Sequence, residues 1–274
     1  MPHVHISRLG AVGVIAIDRP RRFNSLDVRT AQELRRAGLQ LARDAEVRAV
    51  VLRGQPGVFC SGADLKFICD GGDPVDLGYL RPETTAGGYG RVFKQILEYI
   101  HSTISEIRRA PKPFIAAVDG VAAAGGFGLA MSCDLVIASE RASFEWAYSK
   151  TGLTGAESST FMLPRLIGLR RAMELVLLNP RLTARQALDC GLVTTVLSAD
   201  DFDDQTLAIA TRIAAGPGRA QAAAKELLNQ AAGMDQLDAH LDRELQELTR
   251  AADSPEFAEG IAAFFEKREA AFHA

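Results

Sequence analysis

Apolar and polar residues alternate along two runs at the start of the chain, His3 to Leu9 and Val12 to Asp18, around the turn LGAVG. That pattern predicts a β-hairpin. The period then changes. LDVRTAQELRRAGLQLARDAEV reads as a helix with Asp27 as its N-cap. VRAVVLRG is a short β-branched run ending in Gly54, the pattern of a buried strand, and QPGVFCSGADLKFI turns out of a strand into a short helix. CDGGDPVDLGYLRPETTAGGYG holds six glycines and two prolines and predicts a long loop. Long loops in compact domains are usually functional, so the stretch from Gly71 to Gly90 is expected to help shape a pocket.

RVFKQILEYIHSTISEIRRA places Phe93, Ile96, Ile100, Ile104 and Ile107 on one helical face. KPFIAAVDG and DLVIAS read as two more buried strands, and after about Asp200 four helical stretches follow. Short apolar strands alternating with helices argue for α/β layering. No internal repeat stands out. The expected organisation is a core over residues 1–200 and a helical region for assembly over 201–274.

Composition narrows the class only slightly. The 274 residues are 47% hydrophobic and 24% charged, ample for a globular core. A net charge of −3 gives no bulk nucleic-acid footprint. The four cysteines (Cys60, Cys69, Cys133 and Cys190) show no Cys-x-x-Cys spacing, which fits a reduced compartment. MPHVHISRLG lacks the apolar core of a signal peptide, and no run is long enough to span a bilayer, so a cytoplasmic protein is expected. His3 and His5 stand two apart with no acidic partner nearby in sequence, and no metal site is implied.

The segment GVAAAGGFGLAMSCDLVIAS is glycine-rich yet has no basic residue. A P-loop needs Gly-Lys-Ser/Thr, and a dinucleotide loop needs a third glycine where this chain has Met131. Its backbone N–H groups are therefore free to meet something smaller and more transient than a phosphate. FCSGADLKFI and KPFIAAVDGVAAAGGFGLAMSCDLVIAS together closely resemble the paired signatures of the crotonase (enoyl-CoA hydratase/isomerase) superfamily. IDRPRRFNSL, GLRRAMELVLLNPRLTARQALDCGLVTTVL and GIAAFFEKREAAF fit the same family in the same order, so the resemblance covers nearly the whole chain.

The resemblance implies an α/β crotonase-like fold, a spiral of ββα units, and a homotrimer or a dimer of trimers. It implies an acyl-CoA thioester as substrate and coenzyme A as part of that substrate rather than a separate cofactor. It also implies an oxyanion hole from the backbone N–H groups of Ala63 and Gly125, with small residues letting the backbone approach the thioester. Coenzyme A contacts carry over to Arg21, Arg22, Phe23, Ser61, Asp64, Leu65 and Lys66, and to Phe264 and Lys267, the last two able to serve a neighbouring subunit.

The chain departs from the hydratases at the chemistry. Their two glutamates hold a water and shuttle a proton. The matching positions here are Gly128 and Tyr148, and glycine can neither take nor give a proton. From Phe144 onward the pattern is nearer the branch holding chlorobenzoyl-CoA dehalogenase and certain ring-acyl-CoA isomerases, whose catalytic Asp falls here on Ala156, one residue before Glu157. Two readings of Glu157 stand. It faces the thioester with a raised pKa, or it caps the helix that starts near Ser158. Tyr148 either orients the acyl group or walls the pocket. Glu145 reads as surface or as support, and His101 as a core or surface residue.

The function expected is therefore enolate-stabilising acyl-CoA chemistry of isomerase or hydrolase type, ahead of hydration. A coenzyme A ester binder with little catalysis is the rival, favoured by the missing glutamates and opposed by the intact oxyanion constellation. RNA binding is disfavoured by the acidic balance and the lack of a lysine-rich helix.

Overall fold

The computed structural model describes residues 1–55, 57–72 and 88–272; most of the expected loop from Gly71 to Gly90 lies outside the described residues. The hairpin forms as its alternation predicts. β1 (Val4–Leu9) and β2 (Val12–Ile17) run antiparallel, with Val4 opposite Ile17 and Leu9 opposite Val12. α1 (Val28–Arg43) starts where the Asp27 carboxylate accepts the Thr30 N–H at 2.7 Å. There follow β3 (Ala49–Arg53), β4 (Val58–Cys60), α2 (Leu65–Cys69), α3 (Tyr89–Arg109), β5 (Phe114–Val118), β6 (Val121–Ala123) and α4 (Gly125–Met131). Next come β7 (Leu135–Ser139), β8 (Ser143–Glu145), α5 (Ser159–Ile167), α6 (Leu169–Leu178), β9 (Leu182–Thr183), α7 (Ala184–Asp189) and β10 (Thr195–Leu197). Four helices close the chain: α8 (Phe202–Ala214), α9 (Gly218–Ala231), α10 (Leu237–Ala252) and α11 (Pro255–Glu266).

The strands form two sheets, ordered β1-β2-β3-β5-β7-β10 and β4-β6-β8-β9. The successive pairs β3–β4, β5–β6 and β7–β8 each give their first strand to the larger sheet and their second to the smaller. Both series run parallel. At least one helix follows each pair, so the chain winds as the spiral of ββα units that the resemblance implied. The repetition escapes the sequence because the three turns share a path and not a residue pattern.

The central strands β3, β5 and β7 of the larger sheet are covered on both faces, as parallel strands usually are, while the edge strand β1 is largely exposed. In β3, Val50 and Leu52 point into the main core with α1 and α3, while Ala49 and Val51 meet Phe202, Ala210 and Ala214 of α8 on the other side. The period of two sorts them. The predicted stripe of α3, from Phe93 to Ile107, is buried in the main core. So are Leu237, Leu241 and Leu248 of α10 and Phe257 and Ile261 of α11, whereas α9 has no buried residue. Among the described residues no helix is long and apolar enough to cross a membrane.

Candidate active site

Two turns from separate spiral repeats meet at one point. The first follows β4, where Gly62 has φ +95° and Leu26 brackets the next residue, donating its N–H to Gly62 O and accepting from Asp64 N. The second follows β6, where Ala124 holds φ 46° and ψ −118°, a strained pair for a residue with a Cβ. A Cβ on Gly62 would stand 2.8 Å from Ala124 Cβ and 3.0 Å from Gly125 N. The turns touch, and glycine is the residue that lets them. Among the described residues no acceptor meets the backbone N–H of Ala63 or of Gly125. Two unpaired donors thus lie on the wall of one cavity of about 440 Å³.

Glu157 stands opposite. Its side chain is buried, and a Cβ on Gly125 would lie 2.7 Å from Glu157 Oε1. Burial pushes its pKa up to about 8, with the negative Glu244 adding to the rise and a hydrogen bond from Tyr148 opposing it. The Tyr148 hydroxyl donates to Glu157 Oε2 and is itself held far above its usual range by burial. The Glu157 N–H donates to His101 Nε2 at 3.3 Å. His101 is therefore drawn with its proton on Nδ1, and burial lowers its pKa to about 3, so it stays neutral.

The second reading of Glu157, as the cap of α5, is not what the structure holds. That cap is Glu244, reaching from α10 to accept Ser158 N at 2.8 Å and Thr160 N at 3.0 Å. Gly128 stands where the resemblance places a hydratase glutamate. A Cβ there would stand 2.6 Å from Glu157 O and 2.7 Å from Glu157 Cβ, so the space belongs to Glu157.

The cavity gathers nearly all the residues expected from sequence. Ala63, Gly125, Tyr148 and Glu157 line it, and so do Arg21, Arg22, Phe23, Ser61, Asp64, Leu65, Lys66 and Phe264. Lys267 does not; it ends α11 in a left-handed conformation, φ 56°. Asp64 is buried, caps α2 through Phe67 N at 3.1 Å, and pairs with Arg19 and Arg22. These bonds hold its pKa below the usual carboxylate range, against the pull of burial. Lys66 pairs with Asp70 at 2.9 Å, and Arg21 has no ion-pair partner among the described residues. Glu145, read as surface or support, is 5% exposed on the cavity wall, paired with Lys150 and with Arg181 at 3.1 Å.

Sequence reasoning missed Glu244 and the role of His101. A signal for Glu244 existed: it falls on the buried stripe Leu237, Leu241, Leu248, where an unpaired charge would be costly. Among the described residues, the carboxylates on the cavity wall are Asp64, Glu145 and Glu157, and Glu157 alone has no ion pair. The site can hold a developing negative oxygen on two N–H groups and move a proton beside it.

The family model described as Enoyl-CoA hydratase/isomerase matches residues 8–274. The chain is 32% identical over 265 residues to 4-chlorobenzoyl coenzyme A dehalogenase-2 of an Arthrobacter species, covering 97% of this chain and 91% of that protein. It is 32% identical over 263 residues to 1,2-epoxyphenylacetyl-CoA isomerase of Escherichia coli, covering 95% and 94%. The crystal structure of an enoyl-CoA hydratase from Mycobacterium avium subsp. paratuberculosis superposes with a TM-score of 0.85 at 31% identity, covering 99% of each chain. Dehalogenase and isomerase stand among the relatives as the pattern after Phe144 implied. The chain belongs to the enoyl-CoA hydratase/isomerase family.

Proposed function

We propose that this chain is an acyl-CoA isomerase that works through a thioester enolate, with Ala63 and Gly125 N–H on the enolate oxygen and Glu157 as the single proton carrier. The observation that carries this reading is Glu157 itself, the cavity carboxylate without a cation among the described residues, beside two N–H donors unpaired among those residues. Ionised Glu157 takes a proton from carbon 2 of a 3-enoyl thioester. The electrons of that C–H bond pass through the carbonyl carbon to the oxygen. The protonated Glu157 then returns its proton at carbon 4, and the double bond moves to carbon 2. No water is consumed, which suits a site with glycine at 128 and tyrosine at 148. A pKa near 8 keeps Glu157 mostly protonated at neutral pH, with a working minority ionised. Two preorganised N–H donors are worth about 3–4 kcal/mol each at a developing oxyanion.

Arg21, Phe23, Lys66 and Phe264 are assigned to coenzyme A, which arrives as part of the substrate. Assembly with copies of the same chain is assigned to the exposed apolar residues Leu169, Met173 and Leu177 of α6 and Leu227 and Leu228 of α9, and light scattering on Leu177→Asp tests it as a fall in mass.

The test is mass spectrometry of an acyl-CoA panel in deuterated water: crotonyl-CoA, 3-enoyl and aromatic esters, with Glu157→Ala alongside. Deuterium uptake with a 3-to-2 double-bond shift, absent in Glu157→Ala, is the expected result. Rapid hydration of crotonyl-CoA would refute the reading. Binding of every ester with none altered would make the chain a coenzyme A ester binder.

A further inference from the structure

The direction of the Glu157 carboxyl is not fixed by its own segment. Glu157 and Ser158 have φ values of 51° and 61°, two successive left-handed residues that both carry side chains. Ser158 sits at the start of α5, where its hydroxyl would ordinarily satisfy the helix N–H groups, yet Ser158 Oγ is buried without a partner. Glu244 does that work from α10, 86 residues away in sequence, taking Ser158 N on one oxygen and Thr160 N and Oγ1 on the other. It is 5% exposed, and its neighbours on the stripe are leucines.

Building on the reading of Glu157 as proton carrier, we propose that Glu244 is a positioning residue for catalysis, locking the turn over residues 156–160 so that the Glu157 carboxyl faces Gly125 and not its own helix. An ordinary cap by Glu157 would withdraw the proton carrier from the cavity. Glu244 removes that competition by filling the cap from outside. When ionised, Glu244 also raises the pKa of Glu157; burial raises Glu244's own pKa, against the lowering pull of the Thr160 and Ser158 hydrogen bonds. The other groups facing Glu157 are Tyr148, His101 from α3 and Cys60 from β4. His101 is neutral, and the Cys60 thiol is pushed up to about 12 by burial. On the far side of Glu244, His240 Nε2 stands 3.7 Å from its Oε1.

The test uses the full chain with Glu244→Ala, Glu244→Gln and Glu157→Gln, and 3-hexenoyl-CoA as probe. Glu244→Ala is expected to lower kcat about 100-fold with KM changed less than about threefold, the scale of a displaced catalytic group. Glu244→Gln keeps one acceptor oxygen without the charge and turns an NH2 toward the other backbone N–H. It therefore holds half of the cap and is expected to lower kcat by about tenfold, less than the alanine variant. It is also expected to move the Glu157 limb of the pH profile to lower pH. Infrared titration of the protonated-carboxyl band that Glu157→Gln abolishes follows the same shift without turnover. A parental kcat and pH limb in both Glu244 variants overturns the proposal, whatever their Tm. If the alanine variant fails to fold, Glu244→Gln decides alone, and a parental kcat despite the half-lost cap overturns it. An active Glu157→Gln defeats the isomerase reading and this proposal together; an inactive one beside unaffected Glu244 variants defeats this proposal only.

Discussion

Glu157→Gln replaces a group that titrates inside the fold by one of the same shape that does not. Burial lifts the Glu157 pKa from 4.5 to about 8. Between those pH values the unfolded chain has released this proton while the folded chain still holds it. Stability from this group is therefore fully present below the lower value and is lost as pH rises, by about 1.4 kcal/mol per unit. Over the whole interval the loss is about 5 kcal/mol, and above the upper value the slope ends. The glutamine variant lacks that slope. Urea unfolding of both chains at one protomer concentration, in steps from about pH 5 to about pH 9, isolates the term, since the remaining titrations are shared. The variant is expected to gain on its parent steadily up to about pH 8 and then run level. A difference that stays flat across the range would mean that Glu157 is solvated or ion-paired in the folded chain. The proton carrier would then have to be sought elsewhere.

Tyr148→Phe removes the hydroxyl that donates to Glu157. A hydrogen bond to a charged acceptor is worth about 1.5–3 kcal/mol, so the Glu157 limb of the pH–rate profile is expected about 1–2 units higher. An unmoved limb would reduce Tyr148 to pocket wall. Gly128→Ala places a Cβ within 2.7 Å of Glu157 atoms and is expected to cost about 1–3 kcal/mol in urea unfolding, with loss of turnover as Glu157 is pushed aside. Gly128→Glu, which restores the hydratase residue, is expected to yield no hydration of crotonyl-CoA. A stable, active Gly128→Ala would contradict the crowding argument.

What the sequence made legible was what local chemistry determines. The Asp27 cap, the hairpin alternation and the stripe from Phe93 to Ile107 each depend on residues within a few turns of one another, and each formed as predicted. The small sheet of β4, β6, β8 and β9 left no such trace. Its strands are two or three residues long, below the length at which alternation can be read, and their pairing is wholly non-local. The candidate site divides on the same line. Ala63 and Gly125 could be named because the resemblance is carried by contiguous motifs, SGADLK and AAGGFG, that fix their positions locally. Glu157 stayed ambiguous because its orientation is decided by Glu244 and His101, on helices distant in sequence. Read forward, TGAES offers a serine to start a helix and an acid in place to cap it; the fold refuses both and brings the cap from α10. The two positions where the resemblance places hydratase glutamates, Gly128 and Tyr148, both adjoin Glu157. Glycine at 128 leaves room for Glu157, and among the described residues Tyr148 gives that carboxyl its one side-chain hydrogen bond. A carboxylate restored at 128 would have to displace the one already there.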